Sequence, residues 1–236
     1  MFYITQPTTT TKLKKIRYLR IEFEGELFPY EIPAFRGAIV GKVGREHSLF
    51  HNHAPNQSFF YQYPLIQYKS IRGNPALLCL EQGVDQTHHL FQQPNWKIQV
   101  SGRDVEMKVK QLDLKQYTLQ AWDKKFTYSI RNWIALSQNS YQDYQQVENM
   151  ADRVRFLETK LVGNILSFAK GLQWHVDRKI EVCIQDLYSP KWVSLKGNKV
   201  LGFTANFQSN VYLPNYIGLG KSVSLGYGIV KSKKAT

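Results

Sequence analysis

The chain has 236 residues, enough for one large domain or two compact ones, and hydrophobic residues make up 43% of it, which excludes extensive disorder. Lysine and arginine number 31 against 18 aspartates and glutamates, and the net charge of +13 predicts a polyanionic partner, either RNA, DNA or an acidic membrane surface. No apolar stretch reaches the roughly 18–20 residues of a membrane span and the N-terminus lacks the pattern of a signal peptide, so we expect a soluble, cytoplasmic protein.

The N-terminal half alternates between extended and helical hydrophobic patterns. Pro33 suits the first turn of a helix whose Phe35, Ile39 and Val43 share one face. In chain order the patterns predict a strand at 17–23, a helix at 33–43, strands at 61–71 and 76–80, a helix at 84–91, and strands at 96–100 and 105–109. The order strand, helix, strand, strand, helix, strand is that of the ferredoxin-like, or split βαβ, arrangement.

The C-terminal half begins where this pattern weakens, at residues 111–115, and we place a domain boundary between residues 112 and 113. In this half the hydrophobic patterns predict strands at 117–122 and 128–135 and a long helical region at 141–171. They then predict strands at 180–187, 191–195 and 200–208 and a last strand near the C-terminus. Gly163 is expected to interrupt the helical region and Gly171 to end it.

The most informative segment is a glycine-rich loop, in which two Gly-apolar-Gly triplets flank five residues: Gly218-Leu219-Gly220-Lys221-Ser222-Val223-Ser224-Leu225-Gly226-Tyr227-Gly228. Glycine adopts positive φ readily, and successive free N–H groups in such a loop form a donor array for phosphate. Lys221 adds a mobile cation. The alternative is a hairpin whose glycines serve only its turns, but four regularly placed glycines exceed what a turn requires. We therefore predict contact with a phosphate backbone.

Two nucleotide-binding motifs are excluded for this loop. A P-loop requires glycine where Asn215 stands, and only the fourteen residues after Ser222 remain for the helix and strands of that fold. A dinucleotide-binding fingerprint requires a third glycine where Val223 stands. In a chain of this charge, the loop instead indicates a nucleic-acid ligand.

The spacing of these glycines, with a basic residue between the triplets, resembles the signature of the CRISPR-associated endoribonucleases of the RAMP superfamily, which cut repeat RNA into guide RNAs. Further segments are similar to one branch of that family: residues 31–39, 49–53, 63–69, 163–170 and 213–220. The resemblance spans residues 18–230. It implies an α+β fold with two tandem ferredoxin-like (RRM-like βαββαβ) domains, here residues 1–112 and 113–236.

Two histidines are the first candidates for catalysis. Cutting RNA without a metal needs a base, an acid and a cation around an attacking 2′-OH, and the imidazole pKa near neutrality suits both proton transfers. His51 and His53 would point to the same side of an extended segment. Alone, two histidines in a loop are more often solvent-exposed polar residues. The family's catalytic histidine commonly comes from this region, so the resemblance implies that the pair is catalytic, with base and acid unassigned.

Four further side chains are weighed beside the histidines. Lys42 either reaches the same loop to stabilise charge or serves as the cation of a helix C-terminus. Tyr61 and Tyr63 either position the phosphate or stack on a base, and we expect at least one of them to pack in the core. Arg36 is expected to reach RNA or a buried carboxylate. The predicted site comprises catalytic His51, His53, Lys42 and Tyr61 and RNA-binding Arg36, Gly218, Gly220, Lys221, Ser222, Gly226 and Gly228.

The sequence thus predicts a metal-independent endoribonuclease that binds CRISPR repeat RNA and leaves a 2′,3′-cyclic phosphate and a 5′-hydroxyl. No cofactor or metal is expected, because no carboxylate cluster accompanies the histidines and Cys79 and Cys183 lie in apolar runs typical of buried free thiols. Other CRISPR effector subunits and a second copy of the chain are further candidate partners, and no membrane is expected as a partner. The alternatives are a catalytically inactive RNA-binding subunit of an effector complex and a general RNA-binding protein.

Overall fold

The fold is that of a computed structural model, which describes residues 13–51, 62–195 and 197–233. Its strands are β1 (Lys14–Phe23), β2 (Ile66–Ile71), β3 (Asn74–Leu80), β4 (Lys97–Val100), β5 (Arg103–Glu106), β6 (Val109–Leu119), β7 (Ala121–Trp133), β8 (Val182–Leu187), β9 (Lys191–Leu195), β10 (Asn198–Val211) and β11 (Ile229–Ser232). Its helices are α1 (Ile32–Val43), α2 (Ser48–His51), α3 (Gln82–Asp85), α4 (Thr87–Phe91), α5 (Gln138–Gln146) and α6 (Met150–Gly171). None of the helices in these ranges is long and apolar enough to cross a membrane.

The N-terminal half forms an antiparallel sheet in the order β2-β3-β1-β6. With α1 between β1 and β2, and α3 and α4 between β3 and β6, this is the ferredoxin-like order that the sequence predicts. One face of the sheet packs Ile21 and Tyr68 against Phe35 and Ile39 of α1. The other face, which includes Ile16, belongs to a core shared with the C-terminal half. Because the sheet is buried on both faces, β3 is almost continuously apolar.

The C-terminal half repeats the arrangement, with strand order β11-β7-β10-β8 and β9 paired to the first part of β10. Helix α6 packs against this sheet through an apolar stripe of Leu157, Leu161, Ile165 and Phe168. Between β10 and β11, where the first domain has its second helical segment, the chain carries the glycine-rich loop with a single 3₁₀ turn, Val223–Leu225. The predicted α+β fold with two tandem ferredoxin-like domains is confirmed, and the loop takes the position of a helix in the second one.

The fourth strand of the first sheet is β6, whereas the sequence predicted residues 96–109. Strands β4 and β5 instead form a separate hairpin, and β6 pairs along the whole of β1. Most of β6 is exposed at the sheet edge, including Leu112 and Leu114. Since no core imposes alternation on such an edge, residues 111–115 show a weak pattern although they lie within the strand. The division of the chain at residues 112/113 therefore falls inside β6, and a domain boundary at that position stays a prediction.

Three local expectations differ from the structure. Residues 117–122, predicted as one strand, are instead the end of β6 and the start of β7. The predicted helical region is two helices, because the Asn149 side chain accepts a hydrogen bond from a backbone N–H of the next turn and starts α6 there, while Gly163 leaves that helix uninterrupted. Cys79 is buried as predicted, but Cys183 is exposed because β8 is an edge strand.

Side chains next to and on β2 bind the glycine-rich loop across the junction between the two halves. Gln67 accepts from the Gly218 N–H at 3.0 Å, and Tyr63 Oη donates to the Gly218 carbonyl at 2.8 Å. Gln67 Nε2 donates to Tyr63 Oη at 2.9 Å, which links the two contacts. Lys69, two residues along the same face of β2, is fully buried and donates to the Val223 carbonyl at 3.3 Å. The loop is therefore fixed by the first domain as well as by the second.

The buried ammonium predicts a pH-dependent stability. Burial lowers the pKa of Lys69 to about 7, far below the value of about 10.4 expected for an unfolded lysine. Between these values the unfolded chain binds the additional proton, so stability rises with pH in that window. Between pH 7 and pH 9 we expect the unfolding free energy of the wild type to rise by about 2 kcal/mol relative to Lys69→Met, measured by denaturant titration. Identical pH profiles for both proteins would contradict this, and exposed Lys97→Met is the matched control.

Two glycine-to-alanine changes test the packing of the loop. A Cβ at Gly228 would lie 1.8 Å from the Leu219 carbonyl oxygen, in a residue with φ of +64°. A Cβ at Gly163, on the exposed side of α6, would meet nothing within 4 Å. We expect Gly228→Ala to lower the unfolding free energy by at least about 2 kcal/mol and Gly163→Ala to raise it by about 0.5–1 kcal/mol. Equal stability of the two variants in thermal melts would show that the loop does not pack as described.

Candidate functional site

Helix α1, the end of α2, strand β9 and the glycine-rich loop enclose a groove of about 400 Å³, which we call the junction groove. Its lining residues come from both halves of the chain: Pro33, Arg36, Gly37, Val40, His51, Ser194, Leu195, Leu225 and Tyr227. The structure therefore brings together His51, Arg36 and the loop, which lie far apart in the sequence.

His51 is positioned at the groove by bonds to the backbone of its own short helix. The Phe50 side chain is buried, and Tyr68 Oη donates to the Phe50 carbonyl at 3.0 Å. The Arg36 guanidinium donates to the His51 carbonyl. The His51 imidazole is bonded through Nε2 to the Arg45 carbonyl at 2.7 Å. Because a carbonyl only accepts, Nε2 carries a proton, and Nδ1 is the nitrogen that can accept one in the neutral ring.

Arg36 connects α1 to α2 and contributes a cation to the groove wall. Burial lowers the pKa of its guanidinium from the ordinary arginine value, although arginine keeps its proton in proteins. The sequence predicted RNA or a buried carboxylate as its partner; in the structure the guanidinium donates to the His51 carbonyl at the C-terminus of α2, and contact with RNA stays a prediction. Arg36 therefore positions His51 directly.

The opposite wall is formed by the loop and β9. Tyr227 Oη donates to the Ser194 carbonyl, and partial burial raises the pKa of this phenol. Gly226 has φ of +82°, and a Cβ there would lie 2.6 Å from Ile32 Cδ1 of α1. The positive φ favours glycine at this position, and the loop packs closely against α1 there.

The other three glycines of the two triplets also serve close packing. A Cβ at Gly218, Gly220 or Gly228 would approach other atoms to 2.5, 2.7 or 1.8 Å, respectively. Gly220 and Gly228 also have positive φ, which disfavours other residues. The spacing of the glycines is therefore explained by the fold of the loop itself, independently of a ligand.

The loop has a small number of groups to offer a phosphate. The N–H groups of Gly218, Leu219, Lys221 and Gly228 donate to acceptors in the protein. Those of Gly220, Ser222, Val223, Ser224 and Tyr227 meet no acceptor within the described part of the chain. Ser222 adopts the left-handed conformation, with φ of 56°, and the side chain of Lys221 is exposed. The groups available to an anion therefore lie mainly at residues 220–224 and include the N–H of one glycine, Gly220, while RNA binding by the glycines stays a prediction.

The remaining predicted site residues are distributed differently. Lys42 Nζ donates to the Asn95 carbonyl at 3.1 Å and to Asn95 Oδ1 at 2.7 Å, so the structure does not bring it to the groove. At 100° per residue, position 42 lies on a different face of α1 from position 36. Tyr63 packs in the junction, which confirms that at least one of the two tyrosines serves the core. His53 and Tyr61 lie outside the described residues.

Sequence reasoning missed the contribution of β9 and Tyr227 to the groove. Tyr227 is the middle residue of the second Gly-apolar-Gly triplet, and that pattern gives no indication of a role for its hydroxyl. Ser194 and Leu195 line the groove together with residues of α1, and no local pattern records this placement. The described side chains that line the groove carry imidazole, guanidinium and phenol groups and include no carboxylate. Across residues 13–51, 62–195 and 197–233, no group of three or more His, Cys, Asp or Glu side chains is placed to hold a metal ion.

Known proteins share this fold over nearly the whole chain. A solved structure described as the crystal structure of Cas6b is 27% identical with a TM-score of 0.85, and the match covers 93% of this chain and 100% of that one. The crystal structure of a CRISPR RNA processing endoribonuclease Cas6b, 23% identical with a TM-score of 0.69 and the same coverage of both chains, shares the fold. An uncharacterised protein of Methanocaldococcus jannaschii, MJ0978, is 40% identical over 101 residues, which are 43% of this chain and 67% of that protein.

Two family models match the chain in succession. The model of the Cas6b N-terminal domain matches residues 14–118, and the model of the Cas6b C-terminal domain matches residues 120–233. Together they cover both sheets and the four elements that line the junction groove. The chain belongs to the Cas6b family.

Proposed function

We propose that this protein is an endoribonuclease that binds CRISPR repeat RNA and cuts the precursor transcript into guide RNAs at the junction groove. The observation that carries the proposal is the meeting of His51, Arg36 and the glycine-rich loop in one groove built from both domains. Membership of the Cas6b family and the net charge of +13 support an RNA substrate. The fold alone does not specify an activity, so the proposal rests on the groove.

The proposed reaction uses the RNA's own 2′-OH and requires no metal ion. A base takes the 2′-OH proton, the 2′-oxygen bonds to phosphorus, and the bond from phosphorus to the 5′-oxygen breaks. An acid gives a proton to the leaving 5′-oxygen, so the products are a 2′,3′-cyclic phosphate and a 5′-hydroxyl. One of His51 and His53 acts as the base and the other as the acid, and the assignment between them is left open. An imidazole at the groove wall, beside a guanidinium, supports this chemistry.

Charge on the phosphate is stabilised by cations at the groove and the loop. Arg36 lies in the groove wall, and the exposed Lys221 extends from the loop next to the N–H groups of residues 222–224. Tyr61 is proposed to position the phosphate. Lys42, whose ammonium is bonded to Asn95, serves instead as the cation at the C-terminus of α1. A homodimer and other CRISPR effector subunits stay predictions, as does the cytoplasmic location.

Replacing His51 tests the proposed catalysis. Because general acid–base catalysis contributes about 10²–10⁴-fold, we expect His51→Ala to slow single-turnover cleavage of repeat RNA by that factor. The dissociation constant for the RNA should change less than about threefold, since the contacts of the loop are kept. His175→Ala, which removes an exposed histidine distant in sequence, is the control and should cut at the wild-type rate.

Three other outcomes would contradict the proposal in different ways. Unchanged cleavage by His51→Ala would remove the groove from the chemistry. Parallel loss of binding and cleavage would assign His51 to RNA binding. Tight binding of repeat RNA by the wild type without any cleavage would instead support a catalytically inactive RNA-binding subunit.

A further inference from the structure

A second cleft lies in the C-terminal domain, between the α5–α6 corner and the strands β8 and β10. Its volume is about 430 Å³, and its wall includes Tyr141, Tyr144, Met150, Arg153 and Leu201. Trp192 of β9 stands at its rim, with its ring in an edge-on contact to Tyr141 at 6.2 Å between centroids. We call these six residues the aromatic cleft. None of them was assigned a function from the sequence.

The aromatic cleft exposes side chains that normally lie in a core. Trp192 is 59% exposed and Met150 is 65% exposed. Burial of an aromatic ring is strongly favourable, so a tryptophan left in solvent beside an open cleft suggests a surface that a ligand covers. The Arg153 guanidinium lies over the Tyr144 ring at 5.4 Å, and its Nε donates to the Val147 carbonyl at 2.8 Å. The cleft thus presents ring faces, a thioether and a planar cation.

The charge of the cleft suits a polyanion. Among the described lining residues, Arg153 is the only formally charged one, and it is a cation. The hairpin that carries Trp192 adds the exposed lysines Lys191 and Lys199. Unpaired nucleic-acid bases stack on aromatic rings and on arginine planes, while nearby cations contact the backbone.

Strand β9 connects the aromatic cleft to the junction groove. Trp192 pairs across the hairpin with Leu201, which lines the cleft, and cross-strand partners project to the same face. Ser194, two residues further along that face, lines the junction groove, and its backbone carbonyl accepts the hydrogen bond from the Tyr227 hydroxyl. At about 3.3 Å per residue the two positions are about 7 Å apart along the strand. A chain leaving the groove along β9 therefore meets Trp192 next.

We propose that the aromatic cleft binds unpaired nucleotides of the same RNA, by stacking a base against Trp192 and Tyr141. This inference rests on the proposed function, since it assumes that RNA occupies the junction groove. It adds a second subsite for single-stranded RNA in the C-terminal domain.

Affinity for an unstructured RNA tests the cleft directly. With a fluorescent oligouridine as the probe, we expect Trp192→Ala to weaken binding by about fivefold or more in anisotropy titrations, because a stacked base contributes about 1–3 kcal/mol. Trp192→Phe keeps a ring and should retain most of the affinity. Leu114→Ala removes a comparably exposed apolar side chain on β6 and should change nothing. A fully paired, blunt-ended RNA duplex should bind all four proteins equally.

Salt separates stacking from charge in the same titrations. Trp192→Ala removes no cation, so the slope of log affinity against log salt concentration should equal that of the wild type. Equal binding of oligouridine by Trp192→Ala and wild type would overturn the inference, as would a changed slope, an equal loss for the paired duplex, or a failure of the wild type to bind oligouridine. A change of oligomeric state in light scattering without a change in affinity would show that the cleft contacts a second copy instead.

Cleavage of repeat RNA by the same preparations reports on the proposed function separately. If the wild type cuts repeat RNA while Trp192→Ala binds oligouridine normally, only the inference about the cleft fails. If the wild type does not cut repeat RNA, the proposed function fails, and the oligouridine comparison still decides whether the cleft binds unpaired RNA.

Discussion

Gly218 is bonded on both sides of its backbone by the first domain, with Gln67 on its N–H and Tyr63 on its carbonyl. These bonds lie in the buried junction, where an unmade hydrogen bond is most costly, so the loop cannot move away from β2 cheaply. Lys69 adds a third contact through Val223 at the cost of burying an ammonium. The last glycine triplet of the loop carries Tyr227, which lines the junction groove, so the shape of that groove depends on a contact between domains.

The position of His51, on the opposite wall of the groove, also depends on contacts with the core of the first domain. A helix of four residues such as α2 has no stability of its own, because helix nucleation is unfavourable. Its position comes from the buried Phe50 ring and from two side chains, Tyr68 and Arg36, that bind its last carbonyls. His51 is therefore held by elements that also form the core of the first domain. The result is a groove whose two walls are each anchored in β2 or α1.

Local hydrophobic patterns in the sequence were sufficient to predict the helices and strands that face a core. Helix α1, strand β3 and the stripe of α6 were predicted because one or both of their faces are buried. Strand β6 was missed because it lies at an exposed edge, and the split between α5 and α6 was missed because it depends on one capping residue. His51 and the loop entered the site through the resemblance to a family. The roles of Gln67 and Lys69 depend on contacts with residues 151 and 154 positions away, and the role of β9 depends on the bond between Ser194 and Tyr227, 33 positions away. Composition and periodicity do not encode such contacts.

The central claim is that the 2′-OH of the RNA is the nucleophile at a groove that needs no metal ion. The direct test is cleavage of repeat RNA in EDTA, comparing an all-ribose substrate with one that carries a single 2′-deoxy nucleotide before the cut. The account predicts that the ribose substrate is cut to a 2′,3′-cyclic phosphate and a 5′-hydroxyl, and that the deoxy substrate stays intact. Cleavage of the deoxy substrate, or loss of all cleavage in EDTA, would contradict it.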